Sequence, residues 1–258
     1  MHLTWLDSNS WLVEIAQKRI AIDPWLVGVL SFGNQEWLFK GVRSQDRPIP
    51  ESIDLILLSQ GLEDHAHPPT LKRLDRNIPV VASASAAKVV QKLGYRHVYP
   101  LLKGETWKLD NHLEIRATQG TPLGPFTLEN GYLIRDLRQG TRLYYEPHGN
   151  HDPQLKDLAP IDVAIAPIIN LSIPAIGSII QGPERALELA QQIQPQFLLP
   201  TAAGGDIRLE GLINVLLKAK GSAKALQAQL QQHHLPTQII EPQPGERIEL
   251  KLKQPAAP

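Results

Sequence analysis

The chain has no cysteine. Disulfides, thiolate metal sites and a cysteine nucleophile are therefore excluded, and any metal centre must use His, Asp, Glu and other oxygen or amide ligands. It also lacks an excess of charge of either sign: Lys and Arg number 26, and so do Asp and Glu. Nothing in that balance points to nucleic acid or an acidic polymer as a partner. No stretch approaches the roughly 20 apolar residues that span a bilayer. Residues 1–7 lack the basic start and apolar run of a secretory signal. The expectation is a soluble, cytoplasmic protein with no membrane span. What is present is globular composition, 42% hydrophobic and 20% charged, which argues against disorder. At 258 residues the chain suffices for one large α/β domain, or two halves sharing a core.

Residues 3–6, 10–15 and 19–22 read as short strands of an antiparallel meander. Residues 25–39 are apolar without a period and predict a long loop packed over something. Four apolar residues at 55–58 read as a buried strand. Helices are expected at 69–74 and 85–93, the second stopping at Gly94. A second meander is expected from strands at 104–109, 112–117, 131–136 and 141–145. Further strands are read at 162–167 and 196–200, and helices at 183–192, 209–218 and 222–232. Strands at 238–240 and 247–250 close the chain. Meander followed by strand–helix alternation, twice over, predicts a duplicated design within a single domain, with halves of about 1–110 and 111–250. Two sheets would face each other with helices outside. The loops at 60–67, 119–124, 146–151 and 201–206 are expected to converge on one edge.

The stretch that stands out is Leu58-Ser59-Gln60-Gly61-Leu62-Glu63-Asp64-His65-Ala66-His67. A rigid strand hands over here to a turn rich in ligating groups, a common seat for metal and catalytic residues. His67 reads as solvent-facing. The pair His233 and His234 reads as a surface helix end.

With Leu3-Thr4-Trp5-Leu6, Ile22-Asp23-Pro24-Trp25, Leu55-Ile56-Leu57-Leu58-Ser59, Leu143-Tyr144-Tyr145, the strand at 161–167 and Gln196-Phe197-Leu198-Leu199-Pro200 in this order, the chain resembles the metallo-β-lactamase-fold hydrolases. It is most similar to their ascorbate-phosphate-lactonase-like branch. The resemblance covers nearly the whole chain and implies a four-layer αββα sandwich. It also implies a site. The family motif His-x-His-x-Asp-His falls on Gln60, Leu62, Asp64 and His65. Its middle histidine falls on Gln119, its bridging aspartate on His148, and its final histidine near Thr201. Leucine cannot ligate and neutral amides are poor zinc ligands, so the usual two-metal centre cannot be complete.

The resemblance leaves three readings open. In the first, Asp64, His65 and His148 hold one zinc or other divalent metal, with water or Glu146 as a fourth ligand and His151 as a weaker candidate. Asp64 is then the catalytic residue, as ligand or general base, and Gln60, Gln119 and Thr201 bind a small ester, lactone or phosphoester. In the second, the chain is a catalytically inactive pseudoenzyme, a ligand-binding or assembly module without metal. A third reading is a metal-free hydrolase that uses Asp64 and His65 as base and needs a nucleophile, for which Ser59 and Thr201 are weak candidates. Asp23 would orient His65 in each case. The expected partners are a small-molecule ligand and a second copy of the chain. Apolar segments 25–39 and 168–180 read as a lid, an interface or a peripheral membrane contact.

Overall fold

A computed structural model describes residues 1–123, 127–174, 177–202 and 204–253. Its frame is two seven-stranded mixed sheets. The first is built from strands between His2 and Pro100, joined at its edge by the last strand, Arg247–Glu249. The second runs from Thr106–Leu109 to Gln238–Ile239. In each sheet an antiparallel meander passes into parallel strands.

Period-two alternation explains both the packing and the apolar runs. In strand Leu55–Leu58, Leu55 and Leu57 face the core between the sheets, while Ile56 and Leu58 face helices. Strand Val163–Ala166 does the same, with Val163 and Ile165 inward and two small alanines outward. A strand buried on both faces has no polar side to show, which is why both read as continuous apolar segments. Helices α1 (Pro68–Arg73) and α2 (Ala84–Lys92) cover the first sheet. Helices α3 (Pro183–Ile193) and α5 (Ala223–Gln232) cover the second. The order of layers is helix, sheet, sheet, helix, as the resemblance implied. Among the described residues no helix is long and apolar enough to cross a membrane.

Three segments differ from the sequence expectation. The helix expected at 209–218 is three elements: strand Ile207–Glu210, the single turn of α4 (Leu212–Leu216) and strand Lys218–Lys220. Gly211, at φ +96°, separates the first two. The end of the loop at 25–39 leads into strand Lys40–Arg43, which pairs with Ile207–Glu210. That pairing joins short segments far apart in sequence, and no local pattern announces it. The apolar segment at 168–180 contains a hairpin of Asn170–Ile173 and Gly177–Ile180, except for residues 175 and 176, which lie outside the described residues. So do residues 124–126 of the Pro-rich loop and the C-terminal 254–258.

Candidate active site

Two parallel neighbours, Lys18–Ile22 and Leu55–Leu58, end side by side and deliver Asp23 and Ser59 to the same edge. Asp23 is fully buried. Its Oδ1 accepts from the Ser59 backbone N–H at 2.8 Å. Its Oδ2 accepts from Ser59 Oγ at 2.5 Å, His65 Nδ1 at 2.7 Å and Tyr145 OH at 2.6 Å. Tyr145 belongs to the second sheet, so this one carboxylate ties both sheets at the site. Ser59 Oγ also lies 3.0 Å from His65 Nδ1, and the residue is buried.

His65 is buried between two carboxylates. Its Nδ1 meets Asp23, while its Nε2 lies 3.1 Å from Asp64 Oδ2 and 3.3 Å from Asn9 Nδ2. Burial alone lowers a histidine pKa, but the charges and hydrogen bonds of Asp64 and Asp23 outweigh it and hold His65 up to about 10. Against the same burial, the His65 charge holds the Asp64 carboxyl below its usual range. Asp64 Oδ1 is buried and has no partner.

His148 comes from the loop after strand Arg142–Tyr145. Glu146, fully buried, accepts from the backbone N–H groups of His148 at 3.1 Å and Gly149 at 2.6 Å, and thereby shapes the loop. Burial raises Glu146 to about 7 against these hydrogen bonds. The loop places His148 5.0 Å, ring centre to ring centre, from His65. His148 Nε2 is 3.1 Å from the Gln60 amide nitrogen. Burial, with the His65 charge adding to it, lowers His148 to about 3, so Gln60 donates to a neutral imidazole.

Gln60, Asp64, His65 and His148 thus come together. Gln119 turns elsewhere: its side-chain oxygen accepts from Lys103 Nζ at 3.1 Å. The Thr201 hydroxyl is taken up by Trp11 Nε1 at 3.1 Å and the Ser8 carbonyl at 3.2 Å. His67 is not solvent-facing. It is buried, caps α1, and contacts Thr70 Oγ1 at 3.0 Å and the Val29 carbonyl at 3.2 Å. Burial lowers its pKa to about 4. His151 is also buried, against the Tyr144 hydroxyl at 3.3 Å, with its Nε2 unpartnered. Sequence reasoning missed Tyr145 and Asn9. The only signal for Tyr145 was its place at a strand end, just before Glu146.

The donors do not fit a resident two-metal centre. Gln60 is tied to His148, Leu62 has no donor, and Gln119 is tied to Lys103. Among the described residues no three His, Asp or Glu side chains are arranged to hold a metal ion. Catalytic zinc sites take three protein ligands.

The αββα sandwich, with a strand-end site at this edge, is that of the metallo-β-lactamase fold. Residues 2–202 match the beta-lactamase superfamily domain, and the chain belongs to that family. Its fold is similar to that of a metallo hydrolase from the archaeon Ignicoccus hospitalis, at 17% identity, 97% and 99% coverage of the two chains and a TM-score of 0.67. It is similar to an isothiocyanate hydrolase from Delia radicum gut bacteria, at 16% identity, the same coverages and a TM-score of 0.69. A diiron β-hydroxylase from Streptomyces venezuelae matches at 15% identity and a TM-score of 0.68, over 96% of this chain and 54% of that one.

Proposed function

We propose that the protein is a metallo-β-lactamase-fold binding module, in which a charge-paired hydrogen-bond cluster stands where the sequence resemblance implies metal ligands. The observation that carries this reading is the donor set. Gln60 and His148 satisfy each other at 3.1 Å, and His65 lies between two carboxylates. The ligand is a small polar molecule. It offers a hydrogen-bond donor to Asp64 Oδ1, which is buried without a partner and is costly to leave so.

A second reading rests on that same orphan oxygen. Asp64 and His65 would hold a single divalent cation, with His148 turned from Gln60 as third ligand, and the chain would hydrolyse a small ester, lactone or phosphoester. Melting curves with and without zinc or manganese, paired with hydrolysis of nitrophenyl acetate, a simple lactone and bis-nitrophenyl phosphate, separate the two. The binding-module reading expects no metal-dependent rise in melting temperature and no turnover. A saturable rise that is lost in His148→Ala, with metal-dependent turnover, establishes the second reading instead.

A further inference from the structure

The side of the molecule beyond the loop at 25–39 carries an apolar face that, among the described residues, nothing covers. Trp37 is 69% exposed, Leu212 56%, Val215 81% and Leu216 46%. The backbone joins them. Leu212 N–H donates to the Trp37 carbonyl at 3.2 Å and Ile213 N–H to the Leu38 carbonyl at 3.0 Å. Leu212, Val215 and Leu216 stand three and four residues apart on α4, hence on one side of its turn. Gly211 makes the close approach possible, since a Cβ there would lie 2.7 Å from the Leu38 carbonyl oxygen.

The charge beside this face has one sign in excess. Strand Lys218–Lys220 follows α4 directly and is fully exposed. Alternation puts Lys218 and Lys220 on the same side of it. Lys40 and Arg208 also lie in this unit, paired with Glu36 at 2.9 Å and Glu210 at 2.6 Å. Arg43 is buried against Asp7. Glu184, on α3, is the carboxylate that feels Lys220. We propose that Trp37 and α4 dock on an anionic lipid surface, with Lys218 and Lys220 as the electrostatic anchor. An exposed tryptophan, an aliphatic turn and adjacent lysines are the combination that an anionic bilayer interface binds. The loop that carries Trp37 is also tied to the site: Gly33 N–H donates to Glu63 Oε1, one residue before Asp64, at 3.1 Å.

The test is flotation of the full chain with phosphatidylcholine vesicles, with and without phosphatidylglycerol. Wild type is expected to float with the anionic vesicles only, to be released by salt, and to show a blue shift of tryptophan emission that Trp37→Phe lacks. Lys218→Gln combined with Lys220→Gln lowers partitioning by about thirty-fold at low ionic strength. Val215→Asp lowers it as well. Circular dichroism of each variant, expected to match wild type, separates lost docking from lost folding. Failure of folded wild type to float with anionic vesicles, or flotation indifferent to Val215→Asp, overturns the proposal. So does a wild-type dimer that Val215→Asp converts to monomer, which assigns the face to a second copy.

Discussion

The Gln60 amide donates to His148 Nε2 across 3.1 Å, joining the loop of the first sheet to the loop of the second. The resemblance drawn from the sequence implies a metal ligand at each of these positions. Here a neutral amide and a neutral imidazole satisfy each other. Behind them, His65 is held between Asp23 at 2.7 Å and Asp64 at 3.1 Å.

Asp23 is the hub of this arrangement. Asp23→Ala leaves the buried His65 without its closer carboxylate and takes one acceptor each from Tyr145 OH, Ser59 Oγ and the Ser59 backbone N–H. Removing one member of a buried charge pair costs about 3–5 kcal/mol. Urea denaturation of Asp23→Ala is expected to give a loss of that order, and Tyr145→Phe a loss of about 1 kcal/mol. A loss under about 1 kcal/mol in Asp23→Ala shows that the network is not structural.

The position of His148 depends on a backbone that only glycine tolerates. Gly149 has φ +84°, and a Cβ there would lie 1.9 Å from the Gln181 carbonyl oxygen. Gly149→Ala must move one backbone against another. Its expected cost is about 2–4 kcal/mol, with a displaced His148 ring visible as altered imidazole NMR shifts. Unchanged stability and shifts would mean that the loop is not fixed by this contact.

Acid should destabilise the protein through its buried neutral histidines. Burial, with a contribution from Arg185, lowers His151 from 6.5 to about 3. The unfolded chain therefore takes up a proton in that window and the folded chain does not, so stability falls as pH drops from about 6.5 toward 3. At pH 4.5 this one residue accounts for about 2–3 kcal/mol. His151→Gln is expected to flatten the slope of unfolding free energy against pH by about one proton in this range. An identical slope in the variant assigns the acid sensitivity to other groups.

The layers were legible because burial on both sheet faces leaves a direct mark on sequence, as at 55–58 and 163–166. The turn of Asp64 and His65 was legible from residue type at a strand end. His67 was misjudged because its cap on Thr70 and its bond to Val29 depend on how the loop at 25–39 folds back. Gln119 and Thr201 follow the family's order, but Lys103 and Trp11 capture their side chains, and sequence order cannot show such captures. Short α4 was hidden because Leu209 and Leu212 mimic a helical period across Gly211.

Metal content tests the central claim most directly. The chain is purified, incubated with excess zinc, desalted and analysed by plasma mass spectrometry, beside a variant carrying Gln60→His, Leu62→His and Gln119→His. The account predicts that wild type retains far less than one zinc per chain, and that the variant retains about one, because it regains the missing three-histidine set. About one zinc per wild-type chain, lost in Asp64→Ala, would contradict it.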